Sequence, residues 1–364
     1  MRSRLLIVLL LACCSLAAQP ALQAGFNKSE SLEMLKIAGL SLDTPWTRVV
    51  TPMPDHYQLA YRSVEVGLKN RWDLWESERP GDAVVVSIRG TTKDMASWLA
   101  NVYAVMSPAQ GTLQLDEQFR FPYKLADNPR AAVHTGWLIG MAYLARDIMP
   151  KLDEQYRNGR RDLLITGHSQ GGGIAYLLTA YLKNLQQDGG FPADWRIKTY
   201  CGAAPKPGNL YFAYDYEQKT AGGWAFNVVN PLDWVPEVPL TVQTSGDFNT
   251  VSPLTNAEAA IKKQGFPKNV ALKHVYNKLR KPAQKANKNY QKYFGKKAQK
   301  FVVKTLPGFQ EPDYYNSNYY CRTGQFIVLT PDEDYLRKYP NDPKSANVFI
   351  HHLPEQYLML ANKL

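Results

Sequence analysis

Cysteine is scarce in this chain of 364 residues. Of its four cysteines, Cys13 and Cys14 lie close to the first residue, which leaves Cys201 and Cys321 for the rest of the sequence. Four cysteines are too few for a disulfide-rich scaffold, and no Cys/His cluster has the spacing of a zinc site. Cys201 and Cys321 are able to form one disulfide in an exported protein. The alternative is a free Cys201, because a buried thiol packs well in the core strand predicted there.

Long apolar runs are also scarce. The run at residues 5–11 follows two arginines and precedes small residues that end near Ala18 or Ala24. This pattern predicts a secretion signal over residues 1–24, and hence an exported (secreted or periplasmic) protein. The run is too short for a permanent membrane span. Residues 10–13 resemble the cleavage box of bacterial lipoproteins, so a lipid anchor on Cys13 is the alternative to a freely soluble product.

Acidic residues are missing between Lys262 and Lys304, where fourteen Lys and Arg residues occur. The net charge of the whole chain is +11, so the remainder of the chain carries a net charge of −3. The basic character therefore belongs to one segment and not to the protein as a whole.

The strongest functional pattern surrounds Ser169. An apolar run at residues 163–166 is typical of a strand buried on both faces, and apolar residues recur at helical spacing after residue 173. Gly167 and Gly171 flank Ser169 as G-x-S-x-G at the change from strand to helix. Such a turn projects a serine hydroxyl outward as a nucleophile, and it places the amide of Gln170 at a helix N-terminus, where an oxyanion would form. The alternative is an ordinary glycine-rich turn.

The rest of the pattern alternates strands and helices. We predict strands at residues 83–88, 196–202 and 224–229, helices at residues 29–38 (capped by Ser29 or Ser31) and from residue 137 to about 156, a hairpin pairing residues 61–66 with 71–76, and a long loop at residues 106–130. The alternation predicts an α/β protein with a mostly parallel central sheet. In such sheets the functional residues collect where the strands end.

A serine nucleophile needs a base and an acid that orients the base. Asp233 follows a predicted strand directly, in a loop stiffened by prolines, whereas its rivals Asp215 and Asp247 do not. His351 and His352 near the C-terminus are the candidate bases, and the order Ser, Asp, His is that of the α/β-hydrolases. His134 precedes the nucleophile, and we interpret it as a structural histidine.

Two further stretches lie beside this candidate site. Thr91 follows the strand at residues 83–88, and its amide is placed to be a second oxyanion donor beside that of Gln170. Residues 94–102 form a short amphipathic stretch, in which Asp94, Trp98 and Leu99 are candidates for a lid. The alternative is that Trp98 and Leu99 simply pack beneath the site.

Together these motifs resemble those of the class 3, or fungal-type, lipases. Residues 87–91 are similar to the family's F-R-G-S/T, residues 133–137 to V-H-x-G-F, and residues 167–172 to G-H-S-L-G-G. Residues 199–209 resemble T-F-G-x-P-R-x-G-N with departures, and residues 230–236 resemble N-x-x-D-x-V-P. His352 stands five residues before Tyr357, as in the family's H-x-x-x-x-Y.

This resemblance implies an α/β-hydrolase fold and ester hydrolysis through an acyl-enzyme. It implies Ser169 as the nucleophile, Asp233 and His352 as its partners, the amides of Thr91 and Gln170 as the oxyanion hole, and residues 94–102 as the lid. It requires neither a metal nor an organic cofactor. The expected substrate is an ester or lipid, most simply an acylglycerol. Alternatives are a short-chain carboxylesterase, a phospholipase or lysophospholipase on anionic membranes, and a non-catalytic protein that binds surfaces.

Residues 245–322 depart from the family pattern and are interpreted as a basic helical insertion in a hydrolase domain at residues 25–364. An apolar stripe and a parallel lysine stripe run through it, and we predict that Pro282 splits it into two helices. One reading is a contact between Lys262–Lys304 and an anionic membrane. The other is a cap that packs on the domain with a solvated lysine face. We do not expect nucleic-acid binding. Four tyrosines that follow either line a substrate site or simply pack: Tyr314, Tyr315, Tyr319 and Tyr320.

Overall fold

The computed structural model describes residues 22–42, 51–77, 79 and 82–364. Most of the predicted signal, including Cys13, lies outside these residues. Residues 22–24, the last of the predicted signal, are described and contact the folded body. Leu22 is buried, and Lys198 Nζ donates to the Gln23 carbonyl at 2.8 Å. Leu22 and Gln23 thus contact the folded body, and the boundary at residue 25 stays a prediction.

The strands and helices of the described residues are numbered in chain order. The strands are β1 (Gln58–Arg62), β2 (Trp72–Glu76), β3 (Val84–Ile88), β4 (Met106–Pro108), β5 (Gln110–Gln114), β6 (Arg120–Lys124), β7 (Ala132–His134), β8 (Asp162–His168), β9 (Arg196–Gly202), β10 (Gly208–Asn209), β11 (Ala225–Val229), β12 (Tyr320–Cys321) and β13 (Gln325–Val328). The helices are α1 (Lys28–Ser41), α2 (Met95–Val102), α3 (Thr135–Arg157), α4 (Gln170–Gln187), α5 (Leu210–Lys219), α6 (Ala257–Lys262), α7 (Lys268–Tyr290), α8 (Ala298–Thr305), α9 (Glu333–Lys338) and α10 (Pro354–Ala361).

A seven-stranded sheet forms the centre, in the order β1-β2-β3-β8-β9-β11-β13. The predicted hairpin supplies β1 and β2, which pair antiparallel, and β2 pairs antiparallel with β3. All later neighbours are parallel, because helical crossovers connect them. Strands β3 and β8 are buried along their whole length, as their apolar runs predict. The predicted α/β-hydrolase fold, a mostly parallel sheet flanked by helices, is confirmed.

Two predictions of local structure are wrong. The cap of α1 is Asn27, whose side chain accepts a hydrogen bond from the Glu30 amide, and not Ser29 or Ser31. The predicted loop at residues 106–130 contains β4, which pairs with β7, and a hairpin of β5 with β6. Its glycine and prolines favour a loop, but alternation buries Phe121 and Tyr123 while Pro122 stays exposed.

The prediction that Pro282 divides the basic segment is also wrong, because Pro282 lies inside α7. Proline leaves the carbonyl four residues earlier without its helical donor. Both Pro282 and Lys278 are exposed, so water is able to bond that carbonyl. The helix changes instead at Gln291–Lys297, which forms a π-helix before α8 begins.

The basic segment packs on the body only through its later part. Tyr290, Ala298 and Val302 are buried, whereas Leu272 and Leu279 near the start of α7 are exposed. In the part of the chain that the structure describes, no helix is long and apolar enough to cross a membrane. Cys201 and Cys321 are free thiols, in β9 and β12 of different sheets, so the free-thiol alternative holds in this structure.

Candidate active site

Ser169 occupies the junction between β8, which ends at His168, and α4, which begins at Gln170. Its backbone angles are φ 61° and ψ −128°, a conformation that costs a non-glycine residue on the order of 1–3 kcal/mol. Hydrogen bonds on both sides hold the turn, since the Ser169 amide donates to the Gly202 carbonyl at 2.9 Å and Gly173 donates to the Ser169 carbonyl at 3.1 Å. The surrounding structure therefore fixes the serine in a sharp turn.

Close backbone packing explains the glycines beside this serine. A Cβ atom at Gly167 would overlap the backbone of Gly171, and a Cβ atom at Gly171 would overlap the carbonyl oxygen of Ile88. At Gly90 a Cβ atom would lie 2.9 Å from the His168 carbonyl oxygen. The end of β3 with the residues that follow it, the turn at Ser169 and the first turn of α4 are thus packed backbone against backbone.

His352 and Asp233 form a buried pair next to this turn. His352 Nδ1 lies 2.7 Å from Asp233 Oδ2. The same oxygen accepts a hydrogen bond from the Tyr357 hydroxyl at 2.8 Å, and Asp233 Oδ1 accepts one from the Val235 amide at 3.0 Å. These bonds fix the carboxylate, which in turn fixes the imidazole, so that Nδ1 carries a hydrogen and Nε2 is left as the basic nitrogen.

The alternative candidates for the acid and the base are bonded to other residues. Asp215 pairs with Lys219 and accepts from the Asp127 amide, while Asp247 completes a capping box with Thr244 and accepts from the Ser317 hydroxyl. His351 Nδ1 lies 3.0 Å from the hydroxyl of Tyr335. None of the three is bonded to His352.

Two buried histidines have structural roles. His168 Nε2 lies 2.6 Å from the His352 carbonyl oxygen and so donates to it, which connects the nucleophile turn to the backbone of the candidate base. His134 caps α3: its Nδ1 accepts from the Trp137 amide, in keeping with its interpretation as a structural histidine. The pKa of both is lowered from 6.5 to about 3, by burial and, for His168, also by the nearby His352.

These pKa values predict a loss of stability in acid. The unfolded chain binds a proton at each histidine below pH 6.5, whereas the folded protein does so only near pH 3. The contribution of each neutral histidine to folding stability is therefore complete above pH 6.5 and is lost as the pH falls toward 3. At about pH 5 we expect each histidine to have lowered the free energy of unfolding by about 2 kcal/mol.

The His134→Asn variant provides the measurement. Asparagine keeps a helix-capping oxygen but does not titrate. Urea unfolding at about pH 7.5 and about pH 5 is expected to show a fall in the unfolding free energy that is about 2 kcal/mol smaller in the variant than in the wild-type protein. Equal falls in both proteins would contradict the prediction.

The two candidate oxyanion residues, Thr91 and Gln170, line a common cavity with Ser169 and His352. Helix α2 holds the side chains of both. Asn101 Nδ2 donates to Thr91 Oγ1 at 2.9 Å, and Asn101 Oδ1 accepts from Trp137 Nε1 at 3.0 Å. Gln170 Nε2 donates to the Ser97 carbonyl at 3.1 Å. Sequence reasoning missed Asn101 and Ser97, although both lie within the stretch proposed as a lid.

The cavity has a volume of about 370 Å³ and is lined mainly by apolar side chains. Aromatic residues from distant parts of the chain contribute to its wall. Phe349 lies between Trp234 and Trp98, with ring centroids at 5.6 Å and 6.4 Å. Tyr290 and Phe294 come from the basic segment. The tyrosines at 314, 315, 319 and 320 are absent from this wall; Tyr314 bonds to Tyr103, and Tyr320 to the Ala104 carbonyl.

The candidate lid residues separate into different environments. Asp94 is the N-cap of α2 and accepts from the Ala96 amide. Trp98 faces the cavity, whereas Leu99 packs against the main core. Gly136 at the start of α3 approaches the Ala100 carbonyl so closely that a Cβ atom there would overlap it. Helix α2 is therefore held by α3 on one side and by Gln170 on another, so its role as a lid stays a proposal.

Among the described residues, no group of three or more His, Cys, Asp and Glu side chains is arranged to hold a metal ion. The candidate site consists of a serine in a strained turn, a histidine–carboxylate pair and an apolar cavity on an α/β sheet. This fold and site define an α/β-hydrolase with a Ser, Asp, His set of residues in that chain order.

Part of the chain is similar to a known protein family. The family model for lipases of class 3 matches residues 85–243. A secreted mono- and diacylglycerol lipase of Fusarium solani is 30% identical over 158 residues, which cover 43% of this chain and 39% of that protein. The match thus spans well under half of the curated relative. Residues 85–243 thus resemble the class 3 lipases, and the resemblance predicted from the motifs is confirmed.

Solved structures of fungal lipases are also similar. Lipase II from Rhizopus niveus is 21% identical, with a TM-score of 0.41, over 59% of this chain and 77% of that one. The Lip2 lipase from Yarrowia lipolytica is 17% identical, with a TM-score of 0.44, over 59% of this chain and 76% of that one.

Proposed function

We propose that this protein is a lipase that hydrolyses the carboxylic ester bonds of acylglycerols through Ser169, His352 and Asp233. The observation that carries the proposal is the meeting of three features in one apolar cavity. Ser169 stands in a strained turn, His352 is paired with Asp233 at 2.7 Å, and both Ser169 and His352 line the cavity. A non-catalytic surface protein has no need for this combination.

The reaction begins with attack of Ser169 Oγ on the ester carbonyl carbon. His352 Nε2 removes the hydroxyl proton, and Asp233 stabilises the imidazolium that forms. The amides of Thr91 and Gln170 stabilise the negative charge on the carbonyl oxygen, the more so because Gln170 begins α4 and the helix dipole points its positive end there. The imidazolium then protonates the departing alcohol. Water, deprotonated by His352, releases the acid from the acyl-enzyme.

The character of the cavity supports a fatty acyl ester as the substrate. Each methylene buried there contributes about 0.8 kcal/mol to binding, so a wall of Trp, Phe and Leu side chains favours a long alkyl chain over a short one. The Fusarium relative is named as a mono- and diacylglycerol lipase. An acylglycerol is therefore favoured over a phospholipid or short-chain ester. The same relative is named as secreted, and we propose export for this protein also.

The test is hydrolysis of p-nitrophenyl esters of short and long acyl chains, emulsified diacylglycerol and triacylglycerol, and phospholipid vesicles. We expect the highest kcat/KM on long-chain esters and acylglycerols. Incubation with a p-nitrophenyl alkylphosphonate is expected to inactivate the enzyme and to leave one adduct on the peptide that contains Ser169, detected by mass spectrometry. Folded protein without activity on any ester would refute the proposal, and a preference for phospholipid would change the substrate class.

A further inference from the structure

The basic segment Lys262–Lys304 carries charge that the structure leaves unbalanced. Its fourteen Lys and Arg residues are accompanied by no Asp or Glu. Within residues 82–364, Arg280 is the one member of this set that pairs with a carboxylate, that of Glu258. Elsewhere on the body several lysines pair with carboxylates, as Lys338 does with Glu355. Concentrated positive charge without internal partners indicates an external anionic one.

Seven of these lysines form a single row along the outside of the helical segment, which we call the lysine row. They recur every three or four residues, so they share one face, and every one of them is exposed. The row runs for roughly 30 Å at a helical rise of 1.5 Å per residue. Its members are Lys278, Lys281, Lys285, Lys288, Lys292, Lys296 and Lys300.

The π-helix at Gln291–Lys297 keeps this row straight. From Lys288 onward the lysines are spaced by four residues, a spacing that drifts around an ordinary helix of 3.6 residues per turn. A wider π-helical turn offsets that drift. The same turn aligns an inner row with equal spacing on the opposite side, which packs on the body: Tyr290, Phe294, Ala298, Val302 and Leu306.

The inner row connects the segment with the candidate active site. Tyr290 and Phe294 line the catalytic cavity, and the Phe294 carbonyl accepts a hydrogen bond from the Val105 amide at 3.3 Å. Helix α8 packs on α2, whose Trp98 faces the same cavity. One helix, about 10 Å thick, therefore has the lysine row on its outer side and the cavity on its inner side.

Aromatic side chains next to the lysines distinguish a lipid surface from other polyanions. Tyr293 is 48% exposed, with Lys292 Nζ at 5.5 Å and Lys297 Nζ at 4.5 Å from the centre of its ring. Phe301 follows Lys300 and is 61% exposed. Exposed aromatic rings among lysines fit the headgroup region of a bilayer, where the rings enter and the ammonium groups meet lipid phosphates.

We infer that the lysine row is a docking surface for an anionic phospholipid bilayer, which holds the cavity beside the membrane that supplies its lipid ester. This inference rests on the proposed function, because the bilayer is the source of the substrate. Near an anionic surface each lysine contributes about 1 kcal/mol, so the whole row contributes on the order of 7 kcal/mol to attachment.

Binding to vesicles tests the inference. The Ser169→Ala protein, which leaves the lipid intact, is titrated with vesicles of phosphatidylcholine alone and of phosphatidylcholine mixed with phosphatidylglycerol. We expect binding only to the mixed vesicles, weakened by added salt. The changes Lys281→Gln, Lys285→Gln and Lys288→Gln together are expected to weaken it by about 100-fold.

A matched control removes the same charge elsewhere, by Lys338→Gln, Lys344→Gln and Lys363→Gln, and is expected to keep binding within about 3-fold. When the triple changes are made in the protein that keeps Ser169, both variants are expected to hydrolyse a water-soluble short-chain ester as fast as wild type. This activity also shows that the variants fold. If the proposed function fails, this ester assay fails while vesicle binding is unaffected.

Three results would overturn the inference. The first is equal binding to both kinds of vesicle, and the second is an equal loss of binding in the two triple variants. The third is tighter binding to a duplex DNA fragment than to the mixed vesicles at the same salt concentration, which would assign the lysine row to nucleic acid.

Discussion

Replacing Ser169 with alanine is expected to lower kcat for ester hydrolysis by roughly 10⁵-fold or more, because no other nucleophile in the cavity is positioned by an equivalent turn. The residual rate reflects the oxyanion donors and substrate binding alone. The measurement is kcat on a long-chain p-nitrophenyl ester, with the phosphonate adduct as a second readout. We expect the variant to lose both.

The fold should survive this change, since alanine removes one hydroxyl and leaves the turn's backbone hydrogen bonds in place. Unfolding midpoints of variant and wild type are therefore expected to agree closely. A variant that folds normally and retains more than about a hundredth of the wild-type kcat would mean that another residue is the nucleophile.

The second large effect is expected for Asp233→Asn, with a fall in kcat of about 10⁴-fold near neutral pH. Asparagine keeps the size of the side chain. Its amide, however, is able to donate to His352 Nδ1 and so to stabilise the wrong tautomer, with the hydrogen on Nε2. KM should change little, because His352 lines the cavity and Asp233 does not.

Asp215→Asn is the matched control for this prediction. Asp215 is also buried and ion-paired, with Lys219 at 2.7 Å, but it lies on α5. We expect a loss of stability without a comparable loss of kcat. If Asp215→Asn and Asp233→Asn lowered kcat equally, the histidine–carboxylate pair would have no special role in the reaction.

The sequence predicts the elements whose causes are local. The turn at Ser169 requires glycines on both sides, and a buried parallel strand requires an apolar run, so both leave short patterns. Asp233 and His352 lie 119 positions apart, and only the family motifs around each relate them in the sequence. Their contact at 2.7 Å depends on the whole sheet, since α10 and the loop after β11 are brought together by β13.

The cavity wall is the part that the sequence could not predict. Apart from Trp98, which the lid prediction places beside the site, its aromatic residues Trp234, Phe294 and Phe349 come from separate segments, and no spacing relates them. Pro282 misled the prediction for a physical reason: propensity describes an average helix interior, whereas exposed carbonyls tolerate proline. The π-helix was missed because its two rows are each compatible with an ordinary helix over one or two turns.

The chain contacts itself near the two ends of the predicted insertion at residues 245–322. Val242 forms a β-bridge with Asn318, and Thr241 Oγ1 donates to the Asn318 carbonyl at 2.8 Å. The chain between Val242 and Asn318 thus leaves and returns at one place in the fold. Its replacement therefore does not require Asp233 or His352 to move. In evolutionary terms, exchange of this single contiguous stretch would alter part of the acyl wall and the charged outer face together, while the catalytic chemistry was inherited unchanged.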